Sequence, residues 1–199
     1  MEEGELSAKV AAERDAIIAE IRVAFATTKR GKPAISWSET VAIDHYEDEE
    51  GRDAARKLDT ESHWSELVDD TRWQPFPGIG GFSFINAEGF RYYLPPTMIR
   101  CLRGDNSEWY PGHLLGCIES FAGESAARRL VAGPGGEVRV VPDKSRPVVW
   151  STAQLVCIAK FIAWMARHDP ALEMNASIGY ENVWAGALER TWKHLLVEA

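Results

Sequence analysis

The chain has 199 residues, of which 45% are hydrophobic and 26% are charged, and its formal net charge is −8. This balance is typical of one soluble globular domain that buries a core without a metal or a disulfide bond. The negative charge repels phosphate backbones and anionic lipids, which argues against nucleic-acid and membrane-surface partners. No apolar run reaches the about 20 residues of a membrane span, and the acidic first residues do not resemble a signal peptide, so we expect a cytoplasmic protein.

The N-terminal segment, residues 1–33, is predicted to contain one amphipathic helix over residues 5–26. Apolar residues recur there at helical spacing and form a stripe: Val10, Ile17, Ile21 and Phe25. Charged residues occupy the opposite side, as in a helix that packs one face on a core. A glycine and a proline follow and end the helix.

Residues 34–70 form an acidic segment with twelve acidic and three basic side chains, a net charge of −9. Ser38 followed by Glu39 predicts the start of a short helix through residue 46, and a very polar helix is predicted over residues 48–58. Because this segment can bury little, its charges are expected to form a solvated acidic face. We predict that a basic protein partner binds this face through aromatic and acidic side chains: Trp37, Asp44, Tyr46, Glu47, Asp48 and Trp64.

The next segment, residues 71–104, combines aromatic residues with glycines and prolines. Apolar residues are dense in the loop that opens it, which indicates a loop packed on the core. Asn86 is the predicted N-cap of a helix over residues 87–94. The consecutive prolines Pro95 and Pro96 predict a fixed bend, with Pro96 in the first turn of a second helix that ends at Gly104.

The remaining segments are a variable region, residues 105–150, and C-terminal helices in residues 151–199. In the first we predict short helices over 112–121 and 124–131, a turn at 133–136 and an edge strand over 137–141. In the second, Ser151 and Gln154 match a capping box that opens an apolar, central helix through residue 167. A one-sided helix is predicted over residues 180–196.

Together these elements predict a mainly α protein, or an α+β protein with at most a small antiparallel sheet. The five segments are expected to fold as a single compact helical domain over residues 1–199.

One histidine and one cysteine are candidates for chemistry. His113 and Cys117 lie four residues apart on one face of the predicted 112–121 helix, a spacing that suits a nucleophile pair or two zinc ligands. The apolar neighbours of Cys117 favour a buried structural thiol instead. The acidic run 44–48 lacks the glycine and the spacing of a calcium loop. The three cysteines of the chain have no short-spaced pair, which is typical of reduced thiols. We predict no catalytic residue, no metal site and no cofactor.

Several motifs, in a fixed order, carry a family resemblance. They are Ile-Ile-Ala-Glu-Ile-Arg-Val-Ala-Phe at 17–25, the acidic stretch with Asp44 and Tyr46, Trp64, Glu-Gly-Phe-Arg-Tyr-Tyr-Leu-Pro at 88–95, and a late helix after Ser151. On these motifs, about residues 15–168 resemble a family of uncharacterised bacterial proteins, a domain of unknown function. This chain departs from the family in its second proline and in a longer 105–150 region. The resemblance implies a shared fold and a cytoplasmic bacterial origin, and it implies no activity.

Three functional hypotheses follow. The first is a non-catalytic interaction module, adaptor or immunity/antitoxin-like, that presents the acidic face to a basic partner. The second is a small-molecule-binding protein or enzyme whose pocket lies under the loop of residues 73–84, with Arg91, Tyr92 and Tyr93 as polar groups. Arg91 is expected to stack on a ring or to pair with a carboxylate from residues 44–50. The third is an oligomer joined through the 180–196 helix.

Overall fold

The computed structural model describes residues 3–75, 80–105, 111–123, 126, 149–169, 172, 177 and 181–197. These residues are mainly helical and contain no β-strand, which confirms the predicted fold class. The turn predicted at 133–136 and the strand predicted over 137–141 lie outside the described residues, as does all of the predicted 124–131 helix except residue 126. The division of residues 1–199 into five segments stays a prediction.

Tertiary contacts group the chain into two compact units, which we name after their places in the sequence. The central unit is Phe25–Cys117, and the terminal unit combines Met1–Ala24 with Ile118–Ala199.

The described helices have the following bounds. The α-helices are α1 Glu3–Ala24, α2 Trp37–Asp44, α3 Glu49–Arg56, α4 Ala87–Arg103, α5 Pro111–Ile118, α6 Thr152–His168, α7 Val183–Ala187 and α8 His194–Val197. Short 3₁₀ helices form at Trp64–Val68 and Gly81–Ser83, and π-helical turns form at Glu119–Gly123 and Leu188–Trp192.

Helix α6 is the core element of the terminal unit, as its apolar sequence predicts. The predicted capping box is present: Ser151 N donates to Gln154 Oε1 at 3.1 Å, and Gln154 N donates to Ser151 Oγ at 3.2 Å. The helix buries side chains around most of its circumference and packs against α1 and α7. Burial on several sides explains why this helix reads as apolar throughout.

The 180–196 segment follows its predicted one-sided pattern. It forms α7, a π-helical turn and α8, and it buries Trp184 and Trp192. The indole N–H of Trp184 donates to Asp169 Oδ2 at 2.8 Å, and its ring meets Phe161 edge to face. These tryptophans are therefore used inside the terminal unit.

Helix α4 is the core element of the central unit and has the predicted caps. Asn86 Oδ1 accepts a hydrogen bond from Gly89 N at 3.0 Å, which satisfies one of the free N–H groups at the helix start. Gly104 ends the helix with a left-handed φ of 74°, a conformation that costs glycine little. Between these caps most side chains are fully buried, including Phe90 and Met98.

The predicted bend at the proline pair is wrong, because α4 continues through Pro95 and Pro96 as one helix. Two neighbouring hydrogen bonds are lost, since neither proline can donate, but the fixed proline φ is close to the helical value. Just after these two missing hydrogen bonds, the hydroxyl of Thr97 donates to the Tyr93 carbonyl at 2.8 Å. Burial of both prolines and of the turns on either side holds the helix together where local preference alone predicts a break.

Helices α2 and α3 come from the acidic segment. Helix α2 begins after Ser36, not at the predicted Ser38, and Glu39 accepts a hydrogen bond from Ser36 N at 3.3 Å. Ser38 instead donates from its N–H and its hydroxyl to the carboxylate of Asp59, each at 2.8 Å. The N-cap of α3 is Asp48, which accepts from Gly51 N at 3.0 Å, and this helix buries no residue, as its polar sequence predicts.

Candidate functional site

The central unit contains a partly open cleft of about 780 Å³. It is bounded by the start of α2, residues 58–61, the 3₁₀ helix Trp64–Val68 and residues 69–74. Five carboxylates and two indole rings supply its acidic and aromatic lining: Asp59, Glu61, Glu66, Asp69, Asp70, Trp37 and Trp73. This volume lies within the roughly 300–1,000 Å³ of ligand-binding pockets.

Trp37 and Trp73 form the aromatic wall of the cleft. Their ring centroids are 5.3 Å apart in an edge-to-face arrangement, and Trp37 makes a second edge-to-face contact with Phe82 at 5.2 Å and a tilted contact with Tyr93 at 5.1 Å. The indole N–H of Trp37 donates to the carbonyl of Gln74 at 3.1 Å. These contacts hold both rings in place before any ligand arrives.

A buried arginine supports the wall from within the protein. Arg100 of α4 is 7% exposed, and its guanidinium lies 5.9 Å from the ring centroid of Trp73. It also donates from Nη1 to the carbonyl of Trp73. The loop that carries Trp73 is therefore fastened to α4 through one side chain.

The inner carboxylates of the cleft, Asp59 and Glu61, are held by Arg30. Their side chains are 11% and 8% exposed. Arg30 Nη1 lies 2.7 Å from Glu61 Oε1 and donates to the Tyr93 hydroxyl at 2.8 Å, while Nη2 donates to the Asp59 carbonyl at 2.7 Å. The same hydroxyl accepts from Trp37 N at 2.9 Å and donates to Glu61 at 3.2 Å. This network joins the cleft lining to α4.

Burial is the largest influence on the pKa values of Glu61 and Tyr93 in this network. It raises the pKa of Glu61, although Arg30 opposes the shift. The pKa of Tyr93 is raised by burial first and then by the nearby charges of Asp59 and Glu61. Tyr93 therefore stays a neutral hydroxyl that donates and accepts hydrogen bonds.

Of the outer carboxylates of the cleft, Glu66 and Asp69 are exposed and Asp70 is half-buried. Asp70 pairs with Arg72 at 2.8 Å, and hydrogen bonds from Arg72 lower the pKa of Asp70 to about 2. Asp69 pairs with Arg103 at 2.7 Å. Glu66 accepts hydrogen bonds that include those from Ser62, and these lower its pKa.

The cleft keeps a negative balance after its ion pairs are counted. Arg30, Arg72 and Arg103 lie within ion-pair distance of four of the five lining carboxylates, and the charge of Arg100 beside Trp73 also acts on Asp70, which leaves one negative charge. Within the described part of the chain, Glu66 has no arginine or lysine in ion-pair distance. The lining is thus suited to a cation rather than an anion.

Of the residues predicted to contact a basic partner, three are not free surface side chains. Trp37 is a buried wall of the cleft, and Trp64 is a core residue, 1% exposed, whose indole N–H donates to the Phe25 carbonyl at 2.9 Å. Asp44 is half-buried and accepts a hydrogen bond from Gly80 N at 2.8 Å.

The other three, Tyr46, Glu47 and Asp48, lie together in the turn between α2 and α3. All three are exposed, and Tyr46 is 96% exposed. The six predicted residues are therefore in different places: Trp37 lines the cleft, Trp64 is in the core, and Asp44 is hydrogen-bonded to the backbone. Only Tyr46, Glu47 and Asp48 lie together in an exposed turn.

The residues of the second hypothesis do not line the cleft. Tyr92 and Tyr93 are fully buried, and the guanidinium of Arg30 lies over the Tyr92 ring at 5.8 Å. Arg91 is half-buried, which lowers its pKa, and among the described residues it forms no ion pair. The expected pairing of Arg91 with residues 44–50 is therefore not present there. Residues 76–79 of the predicted covering loop lie outside the described residues.

Arg30 and the two carboxylates it holds were missed as site residues, because Arg30 reads in the sequence as part of a short basic cluster. One signal was present: five acidic residues and no lysine or arginine stand between Lys57 and Arg72. Those carboxylates of this run that become buried need a cation from elsewhere in the chain.

His113 and Cys117 do not form a reactive pair. His113 is exposed and lies 3.4 Å from Ser83 Oγ, whereas the Cys117 thiol donates to the Phe82 carbonyl at 3.9 Å. Burial raises the pKa of Cys117 to about 11, so the thiolate needed for nucleophilic attack is not formed near neutral pH. Across the described residues, no group of three or more histidine, cysteine or acidic side chains is placed to hold a metal ion.

Among the described helices, none has the length and apolarity to cross a membrane.

Comparison with known proteins places the chain in a family. No curated protein and no solved structure matches the chain. The model of a family of unknown function, DUF6714, matches residues 13–127, a span that includes the whole central unit and its cleft. This match covers more than half of the chain and confirms the predicted resemblance to a domain of unknown function, so the protein belongs to the DUF6714 family.

Proposed function

We propose that this protein is a non-catalytic interaction module, of the adaptor or immunity type, whose cleft accepts an arginine-containing segment of a basic protein partner. One observation carries this proposal: Trp37 and Trp73 lie beside five carboxylates in one cavity of about 780 Å³. The three cysteines are free thiols, which supports a reducing compartment such as the cytoplasm.

An arginine side chain suits both parts of this lining. Its N–H groups donate to carboxylates as a planar fork. Trp37 and Trp73 are each 6% exposed, so the arginine side chain contacts only the small indole surface that the cleft leaves open. The protein makes a contact of this kind from the inside, since Arg100 lies over the ring of Trp73. Lysine carries the same charge without the planar fork, so we expect arginine to bind more tightly.

The charge of the lining favours association with cations. One negative charge remains after Arg30, Arg72, Arg103 and Arg100 are counted, and the carboxylates of Glu66 and Asp69 are exposed. Exposed charges attract a basic partner over a distance that salt shortens, so binding is expected to weaken as ionic strength rises.

A capped hexapeptide of alternating arginine and glycine tests this proposal. We expect it to bind and to change tryptophan fluorescence, because Trp37 and Trp73 line the cleft. The lysine counterpart should bind more weakly, and a peptide with citrulline in place of arginine, which has the same shape without the charge, should not bind. Equal binding of the arginine and citrulline peptides contradicts the proposal.

A pair of charge-matched double variants locates the site. Asp69→Asn with Asp70→Asn removes two charges from the cleft and should weaken binding of the arginine peptide about tenfold. Asp15→Asn with Glu189→Gln removes two exposed charges from the terminal unit and should leave binding unchanged. Equal weakening by both double variants means that the peptide responds to net charge alone, and the cleft is then not the site.

A further inference from the structure

The end of α2 contains a tyrosine in a conformation that favours glycine. Tyr46 has a φ of 59°. Its N–H donates to the Ile43 carbonyl at 3.0 Å, and Glu47 N donates to the Ala42 carbonyl at 2.9 Å. This pair of bonds is the Schellman motif that closes many helices, and Tyr46 occupies the left-handed position where glycine is usual.

The Tyr46 ring is exposed, so its burial does not offset the free-energy cost of this backbone conformation. Tyr46 is 96% exposed, the highest exposure among the large hydrophobic residues of the described chain. A side chain other than glycine at positive φ raises the free energy of the folded backbone, and here no packing of the ring offsets it. An aromatic side chain held in solvent at such a cost points to a role outside the fold.

The charges around Tyr46 set the chemistry of its partner. Glu47, Asp48 and Glu50 are exposed on the same turn and at the start of α3. The arginines of α3 do not pair with them, because Arg52 and Arg56 pair with the buried Glu39 at 2.8 and 2.6 Å and with Glu49 at 3.8 and 2.9 Å. The turn therefore presents an aromatic ring surrounded by negative charge, which fits a basic surface.

We infer that Tyr46 is an anchor residue at which an arginine of the same basic partner segment stacks on the phenol ring, outside the cleft. This inference rests on the proposed function for the identity of the partner, although the observation behind it is independent. Tyr46 comes two residues after the end of α2, whose eight residues from Trp37 rise about 12 Å along the axis at 1.5 Å per residue. An extended segment seated in the cleft reaches it with about four further residues at roughly 3.3 Å each.

Two peptides and two variants test the anchor. Capped Arg-Gly-Arg fits the cleft but places its two arginines only two residues apart, too few to reach Tyr46 as well, whereas a dodecapeptide of alternating arginine and glycine is long enough for both places. Tyr46→Gly should weaken binding of the dodecapeptide about fivefold, the loss of one partly exposed cation–π contact, and leave the tripeptide unchanged. Tyr46→Phe keeps the ring and should bind both peptides like the unaltered protein.

The stability of the same variants separates binding from folding. Glycine relieves the backbone at residue 46, so Tyr46→Gly should keep or raise the melting temperature, by about 2 °C, while it loses dodecapeptide affinity. If Tyr46→Gly binds the dodecapeptide as tightly as the unaltered protein does, the anchor is wrong and the cleft proposal stands. If neither peptide binds the unaltered protein, both proposals are wrong.

Discussion

The carboxylates of residues 34–70 divide into an inner group, which is largely buried, and an outer group, which is exposed to water. Glu39, Asp59 and Glu61 are largely buried, and each lies within reach of an arginine. Glu47 and Asp48 face water in the turn between α2 and α3. The inner group fixes helix ends and loops against the core, whereas the outer group sets the charge of the surface. A continuous run of negative charge in the sequence is therefore not one face of the molecule.

The largest loss of stability is expected when a carboxylate of the inner group loses the arginine that pairs with it. Arg30→Met leaves Glu61 and Asp59 close together without a positive charge and removes a donor from the Tyr93 hydroxyl. Breaking a largely buried ion pair on one side costs about 3 kcal/mol, because a charge remains desolvated. Urea denaturation of the variant should show this loss as a lower midpoint.

An exposed arginine gives the matched control for that change. Arg72→Met also removes an arginine that pairs with a carboxylate, but the Arg72 side chain is 87% exposed. Solvent replaces its partner, so the denaturation midpoint should not move measurably. Equal losses from both variants would remove the distinction between inner and outer pairs.

A pH titration sharpens the comparison within the inner group. Burial acts to raise the pKa of Glu39, but hydrogen bonds from Arg56, Arg52 and Ser36 outweigh it and hold the pKa below its ordinary 4.5. Its contribution to stability is present above 4.5 and is lost as pH falls through the lowered value. Burial raises the pKa of Glu61 above 4.5, so its proton-linked contribution is present below 4.5 and is lost as pH rises through the raised value.

The two glutamates should therefore have opposite effects on acid stability. Glu39→Gln should flatten the fall in unfolding free energy on acidification below pH 4.5, while Glu61→Gln should flatten the fall expected as pH rises above it. Each variant is measured by urea denaturation at a series of pH values. Slopes that change in the same direction would show that both carboxyl groups shift alike.

The sequence predicted helix positions well because their signals are local. Asn86, Gly104, and Ser151 with Gln154 mark helix ends through hydrogen bonds within a few residues of the chain. The continuation of α4 through its prolines was not predictable in this way, since burial by distant residues outweighs the local preference.

The candidate site was less predictable than the helices, for a related reason. The acidic composition indicated a cationic partner, but not which carboxylates are buried. Arg30 and Glu61 are 31 residues apart in the sequence, and nothing near either one identifies the other. A pairing over that distance depends on how α4 and the acidic segment pack, which a local pattern does not encode.

The smallest measurable loss of stability that we predict belongs to an outer carboxylate, Asp48. It is exposed, yet its side chain caps α3 by accepting from Gly51 N at 3.0 Å. Asp48→Ala should lower the unfolding free energy by about 1 kcal/mol, whereas Asp48→Ser keeps an N-cap oxygen and should retain most of it. Both variants remove the same charge, so thermal denaturation of the two separates capping from surface charge. If both lose equal stability, the charge of Asp48 near the helix N-terminus matters more than its hydrogen bond, and even the outer group then acts on the fold.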